Sequence, residues 1–323
     1  MKKIIDYVRL TRPLNLLFIV VIQFLMARAV LFPLLKGFSI EEQLLPTPIL
    51  ILIVLATVLT AAGGYVINDY FDIKIDRINR PEKVIITTNI DKSGAMRFYQ
   101  ILTFVGTALG LLGSFLLRNT TLALLFVIVP GLLWFYSASY KRQFLIGNLA
   151  VAFCAALVPL TIIFAQNAFF ELKYASLIYE TPILKICYGW IGGFALFAFL
   201  VTLLREIIKD LQDEYGDREM ECRTLPIKLG TKRAKAVIYT LLVVIVALLS
   251  YFVFYKIKFE GSSLTERYFV FGIVLPLIFV AYLTYNAKTA NDYKTIGNLT
   301  KFVMLIGTLY SLVFLFLKMA TLG

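Results

Sequence analysis

Nine long apolar runs leave this chain few ways to fold. They fall at about 14–35, 47–67, 98–117, 121–139, 144–166, 187–204, 236–255, 268–286 and 298–317. Each is near the ~20 residues that a helix needs to cross a bilayer. In hydrocarbon every backbone N–H and C=O must find a partner within the structure, so only helices and closed barrels span. Apolar runs of this length are read as helices. The expectation is an all-α, polytopic membrane protein with nine transmembrane helices, forming one integral-membrane domain over residues 1–323. Only Arg118 to Thr120 separate the third and fourth runs, which predicts a tight hairpin. Pro130, Pro159 and Pro276 fall inside runs, where prolines are tolerated as kinks.

Composition agrees. The chain is 60% hydrophobic and only 16% charged, with mean hydropathy +0.83, against about 25% charged in soluble domains. Its net charge of +12 points, in this setting, to anionic headgroups and an anionic substrate rather than to nucleic acid. There is no histidine, which excludes imidazole bases and His-ligated zinc or haem. Cys154, Cys187 and Cys222 are widely spaced and form no zinc or disulfide pattern. They read as two core residues and one loop thiol.

Lysine and arginine set the orientation. With the N-terminus cytoplasmic, 23 lie on inner segments and 8 on outer ones. That places the C-terminus outside and the two long charged segments, after the second and sixth runs, on the cytoplasmic side of the cell membrane. The first run reads as a retained helix rather than a cleaved leader, because it continues to Leu35 behind a charged lead. Arg28, near its outer end, reads as a snorkelling cation.

Those two inner segments carry a shared pattern. Asp69, Asp72 and Asp76 step by three and then four, and so do Asp210, Asp213 and Asp217, 141 residues later. Such spacing stacks carboxylates on one helical face. Each set follows an even-numbered run, which suggests two related four-helix halves plus a ninth helix. One acidic face is commonly just a solvated surface. Two, both at a membrane edge, need cations, because unit charges ~4 Å apart repel by about 4 kcal/mol at an effective dielectric of 20. No EF-hand pattern supports calcium, whereas magnesium prefers to share a few carboxylates with phosphate oxygens. Two such faces across one diphosphate, bridged by Mg²⁺, suit that preference. Basic residues interleave: Arg77, Arg80 and Lys83; Lys141 and Arg142; Arg205, Lys209, Arg218, Arg223 and Lys228. Each alone is a positive-inside residue. Together they can hold a pyrophosphate and stabilise it as it leaves. Aromatics, 15% of the chain, pack and belt the membrane, and inside a cavity would stabilise a carbocation.

At these residues the chain resembles the UbiA superfamily of intramembrane prenyltransferases. Asn68-Asp69-x-x-Asp72-x-x-x-Asp76 matches that family's NDxxDxxxD pattern, Asp210-x-x-Asp213-x-x-Gly216-Asp217 resembles its second motif, and Arg12-Pro13-Leu14-Asn15 resembles its start. The resemblance implies a bundle around a central cavity open sideways to lipid. It implies Mg²⁺-dependent transfer of an isoprenoid chain from a prenyl diphosphate to a lipophilic acceptor. By the same resemblance Asp69, Asp72, Asp76, Asp210, Asp213 and Asp217 bind the metal–diphosphate, and Asn15 and Asn68 line the site. Relatives often carry Tyr-x-x-x-Lys after the fourth helix; here Tyr136 and Lys141 are five apart. The stretch REIIKDLQDEYGD followed by TLPIKLG resembles the branch that prenylates geranylgeranylglyceryl phosphate, with an aromatic quinone precursor as the alternative acceptor. A transporter would place its ionisable groups near the midplane, not at helix ends. An alcohol phosphatidyltransferase has a different aspartate spacing, absent here.

Overall fold

Helix is what an apolar chain with few polar partners must form, and most of the described residues are helical. The computed structural model describes residues 2–257, 259 and 263–322. Among them nine helices are long and apolar enough to cross a membrane: α1 (Pro13–Gly37), α2 (Thr47–Asn79), α3 (Lys92–Leu116), α4 (Thr120–Ala138), α5 (Ile146–Glu180), α6 (Ile183–Gln212), α7 (Thr231–Tyr255), α8 (Leu264–Asn286) and α9 (Ala290–Ala320). No strand occurs among the described residues, only an isolated bridge between Ile86 and Ile90. The nine expected spans are all present.

Three features depart from the expectation. The second apolar run ends near residue 67, yet α2 continues as helix to Asn79. The first acid set therefore stands on the same continuous helix as the second span, on one helical face as its spacing requires. The proline effects are also more specific than kinks alone. Pro33 and Pro276 each follow a wide π turn, at Met26–Leu31 and Phe269–Val274. Proline has no N–H and its ring crowds the carbonyl four residues back, so a widened turn before it relieves the conflict. Pro130 and Pro159 lie inside α4 and α5. Finally, contacts divide the chain into two compact units, residues 1–141 with 157–191, and 142–156 with 192–323. Residues of α5 and α6 are shared out between the units, so the boundary does not separate four-helix halves.

In the first unit α2 packs on α1, α3 and α4, and α3 on α4. Small residues allow the close approach, as is usual where water supplies no hydrophobic drive between helices. A Cβ at Gly106 would meet the Thr60 backbone nitrogen at 2.9 Å, and one at Gly110 would meet the Phe126 ring at 2.2 Å. The α3–α4 turn is the expected hairpin, with Arg118 left-handed (φ 48°) and Asn119 capping α4 at the Leu122 N–H, 2.8 Å away. Buried amides tie the helices. Gln23 donates to Thr57 and to the Val158 carbonyl, at 3.2 and 3.1 Å. Gln166 accepts from Leu45 N–H at 2.7 Å and donates to the Gln43 carbonyl at 2.8 Å. Arg28 is exposed and donates to Thr47 Oγ1 at 2.6 Å. Before α1, helix Lys2–Leu10 buries Leu10 against Val66, Ile73 and Ile86, and leaves Ile4, Ile5 and Val8 exposed.

The second unit has its own apolar core. Val201, Leu204, Ile207 and Ile208 of α6 pack with Ile238 and Leu242 of α7, Leu277 and Val280 of α8, and Ile296 and Val303 of α9. The α8–α9 turn is closed by a reciprocal cap, Thr289 with Asp292, and by Lys235, which donates to the Ala287 carbonyl at 2.7 Å. Cys187 and Cys222 are buried and Cys154 is half-buried, so the expected loop thiol, Cys222, is a packed one.

Candidate active site

The first acid set belongs to the last three turns of α2. Helical geometry puts Asp69, Asp72 and Asp76 on one face, as their spacing requires. Asp72 is buried; Asp69 and Asp76 are half-buried. A buried carboxylate needs a donor or a cation, and here distant parts of the first unit supply both. Lys141, in the turn after α4, forms an ion pair with Asp72. Asn68 donates to the other oxygen of Asp72 at 2.9 Å and accepts from Lys141 at 3.5 Å. Arg12, just before α1, donates to Asp69 Oδ1 at 2.6 Å and lies 5.0 Å over the Tyr65 ring. Burial opposes the charge on Arg12, but Asp69, Tyr65 and Tyr136 outweigh it and hold the guanidinium above its ordinary range. Tyr136 therefore belongs to this neighbourhood. Arg77 points elsewhere, donating to Thr87 Oγ1 at 2.8 Å. Asn15 is half-buried in the first turn of α1, its N–H on the Arg12 carbonyl at 2.9 Å.

The second set lies wholly in the second unit and is built differently. Asp210 ends α6, Asp213 stands at a one-residue break (φ −97°, ψ 5°), and Asp217 lies in the short helix Glu214–Glu219. The three do not share one uninterrupted helix. Asp213 stands at the N-terminal boundary of that short helix, without a side-chain cap bond to it. Hydrogen bonds Asp213 N–H to Lys209 O (2.9 Å) and Asp217 N–H to Asp213 O (3.1 Å) carry the chain across the break. Asn148, buried in the first turn of α5, donates to Asp210 Oδ2 at 2.9 Å. Asp217 is buried. Arg205 and Lys209 pair with the buried Glu206, at 2.5 and 3.8 Å, rather than with the aspartates. Arg142 is exposed and meets this region through its backbone, its carbonyl accepting from Arg223 N–H at 2.8 Å.

Arg12, Tyr65, Asn148 and Glu206 were not among the residues picked out from sequence. Arg12 stands in the quoted Arg-Pro-Leu-Asn stretch, which was a signal for it. Nothing local marks the other three.

The donors are hard oxygens in both sets. Among the described residues no three Asp, Glu or Cys side chains converge as a ready-made cage. Magnesium does not need one, since it keeps waters and shares phosphate oxygens. The ammonium of Lys141 and the guanidinium of Arg12 show that positive charge is accommodated on Asp72 and Asp69, so these residues fit a bound cation.

Comparison with known proteins places the chain. The model of the UbiA prenyltransferase family matches residues 30–303. The chain belongs to the UbiA prenyltransferase family. It is therefore an enzyme of prenyl transfer and an integral membrane protein. One curated relative, the digeranylgeranylglyceryl phosphate synthase of Methanosphaera stadtmanae, is 34% identical over 254 residues, covering 78% of this chain and 82% of that protein. A solved structure described as digeranylgeranylglyceryl phosphate synthase aligns over 98% of this chain and 99% of its own, with 24% identity and a TM-score of 0.62. A UbiA homologue from Archaeoglobus fulgidus, solved with DMAPP and Mg²⁺, aligns over 95% and 99% with 18% identity and a TM-score of 0.55. At these identities the structures support the fold alone.

Proposed function

We propose that this enzyme moves a geranylgeranyl-type chain from its diphosphate to a hydroxyl of geranylgeranylglyceryl phosphate, with magnesium, in ether-lipid synthesis. The observation that carries the reading is the cation-matched acid row on α2, where Asp69 faces Arg12 and Asp72 faces Lys141. The relative from Methanosphaera stadtmanae, named for that product, supports the acceptor, and the Mg²⁺ held by the Archaeoglobus homologue supports the metal.

In this reading Asp69, Asp72, Asp76, Asp210, Asp213 and Asp217 hold the metal–diphosphate, and both sets serve one substrate. Magnesium, when bound, neutralises the diphosphate and makes it a better leaving group. Arg12 and Lys141 turn from carboxylate to phosphate oxygens and stabilise the charge that develops as the C1–O bond breaks. Asn68 and Tyr136 orient that end of the substrate. The acceptor hydroxyl then forms the ether bond at C1 and releases its proton to a carboxylate, to pyrophosphate or to water, because the chain has no histidine. A neutral hydroxyl is a poor nucleophile, so ionisation precedes attack. The N-terminus and both acid sets face the cytoplasm across the cell membrane, and residues 1–323 act as one domain.

Purified protein, Mg²⁺ and geranylgeranyl diphosphate are offered geranylgeranylglyceryl phosphate and a prenylatable aromatic acid, and products are identified by mass. The expected product is the digeranylgeranylglyceryl phosphate ether. An aromatic product alone overturns the acceptor. Spin labels at Ile73 and Leu211 separated by more than about 30 Å, far beyond two metal–oxygen bonds of about 2.1 Å and a diphosphate, overturn the shared substrate. Cysteine labelling of Lys74 and Glu219 from opposite faces overturns the orientation.

A further inference from the structure

Most cations around the two acid sets are already matched. Arg12 pairs with Asp69, Lys141 with Asp72, Arg205 and Lys209 with Glu206, and Arg218 with Glu214. Three are not. Arg142, Arg223 and Lys228 are exposed and pair with no carboxylate among the described residues. All three belong to the second unit, on neighbouring stretches of backbone. The Arg223 N–H donates to the Arg142 carbonyl at 2.8 Å, which sets the two arginines side by side. Lys228 lies 5.0 Å over the ring of Phe144, two residues beyond Arg142.

The group is anchored to the second acid set at both ends. Cys222, beside Arg223, donates its N–H to the Asp217 carbonyl at 2.9 Å. Asn148, six residues after Arg142, donates to Asp210. Glu219 and Glu221 share the loop and form no ion pair with these cations. Two guanidinium groups and an ammonium on this stretch, unmatched by any acid among the described residues, have the chemistry to bind a compact dianion. A phosphate monoester carries a charge of about −1.5 to −2 at neutral pH.

We propose that Arg142, Arg223 and Lys228 bind the phosphate monoester of the acceptor lipid, and so select a phosphorylated glycerol over a neutral one. The inference rests on the proposed acceptor and deepens it. Arg142 then serves the acceptor and not the departing pyrophosphate. The phosphate is held beside the second acid set, which presents the neighbouring glycerol hydroxyl to the reacting carbon.

The test uses the full chain in nanodiscs of neutral phosphatidylcholine. Arg142→Gln, Arg223→Gln, their double variant and the double Arg→Lys variant are compared with the parent. Geranylgeranylglyceryl phosphate and its dephosphorylated alcohol serve as acceptors. For the double glutamine variant the ratio of kcat/KM for the phosphorylated acceptor to that for the alcohol falls about 10–100-fold, as expected for lost hydrogen bonds to a charged group. The loss appears in the KM for the phosphorylated acceptor, while the KM for prenyl diphosphate stays put, and the lysine variant recovers part of the ratio. Direct binding of geranylgeranylglyceryl phosphate without magnesium or diphosphate, read by tryptophan fluorescence, weakens in parallel. An unchanged ratio overturns the inference. So does a rise in the KM for prenyl diphosphate alone, which would give these cations to the leaving group. So does an effect confined to discs containing phosphatidylglycerol, which would give them to bilayer headgroups. A parent enzyme that prenylates only aromatic acids overturns the proposed function itself, and the inference with it. Gel filtration and thermal unfolding of the lysine variant, which keeps both charges, separate loss of phosphate from loss of fold.

Discussion

On α2 the buried carboxylate of Asp72 faces an ammonium and the half-buried one of Asp69 a guanidinium, whereas Asp210, near the end of α6, faces the side-chain amide of Asn148 and makes no ion pair among the described residues. The spacing of the two acid sets is identical, and their support is not. The first stands on unbroken helix, so its geometry is set by backbone alone. The second bends at Asp213, so the direction of Asp217 depends on a local turn and on the fold of the loop that follows. A carboxylate matched by a cation is compensated before any ligand arrives. A carboxylate held by a neutral amide has no such compensation from that partner. The same motif spacing thus sets Asp72 against an ammonium on α2 and Asp210 against an amide on α6.

Removing the metal should have the largest effect on that comparison. In excess chelator, turnover of prenyl diphosphate should fall below detection and return with Mg²⁺. Full turnover in chelator would break the metal reading for both sets. Next in size, Asp69→Asn and Asp213→Asn should each lower kcat about 10²–10³-fold, the usual cost of losing one group that stabilises developing charge. Near-normal turnover for Asp213→Asn with a lost Asp69→Asn would reduce the second set to a bystander.

Stability should separate the sets more finely. Lys141→Met leaves Asp72 buried and unmatched, and removing one partner of a buried pair costs about 3 kcal/mol or somewhat more. Thermal unfolding without magnesium should show it, and added magnesium with a prenyl diphosphate should restore much of the loss. Asn148→Ala removes one hydrogen bond to a carboxylate and should cost about 1.5–3 kcal/mol at most. Equal losses would mean that the two sets are supported alike. The smallest effect is expected for Asp69→Asn in metal-free protein. Its pair with Arg12 is partly exposed, and such pairs contribute about 1 kcal/mol or less.

The spans, the helical character of the first acid face and the α3–α4 hairpin were legible because each depends on neighbours in sequence. Hydropathy over twenty residues selects a helix in lipid, and a three-and-four spacing selects a face, whatever the rest of the chain does. The extension of α2 to Asn79 was not legible from hydropathy, which falls at the first aspartate while the backbone simply continues. The break at Asp213 was equally hidden, since an identical spacing on α2 produces none.

The partners of the acids were beyond reach for a different reason. Arg12 meets Asp69 across 57 residues, and Asn148 meets Asp210 across 62. In a chain with 32 lysines and arginines, no local pattern says which one turns inward. By itself the sequence determined a nine-helix membrane protein, its two carboxylate sets and its family, because apolar length and motif spacing are properties of contiguous residues. Which cation neutralises which aspartate, and which cations remain open to a ligand, only the tertiary structure decided, because a buried charge takes whatever partner the packing of distant helices brings within reach.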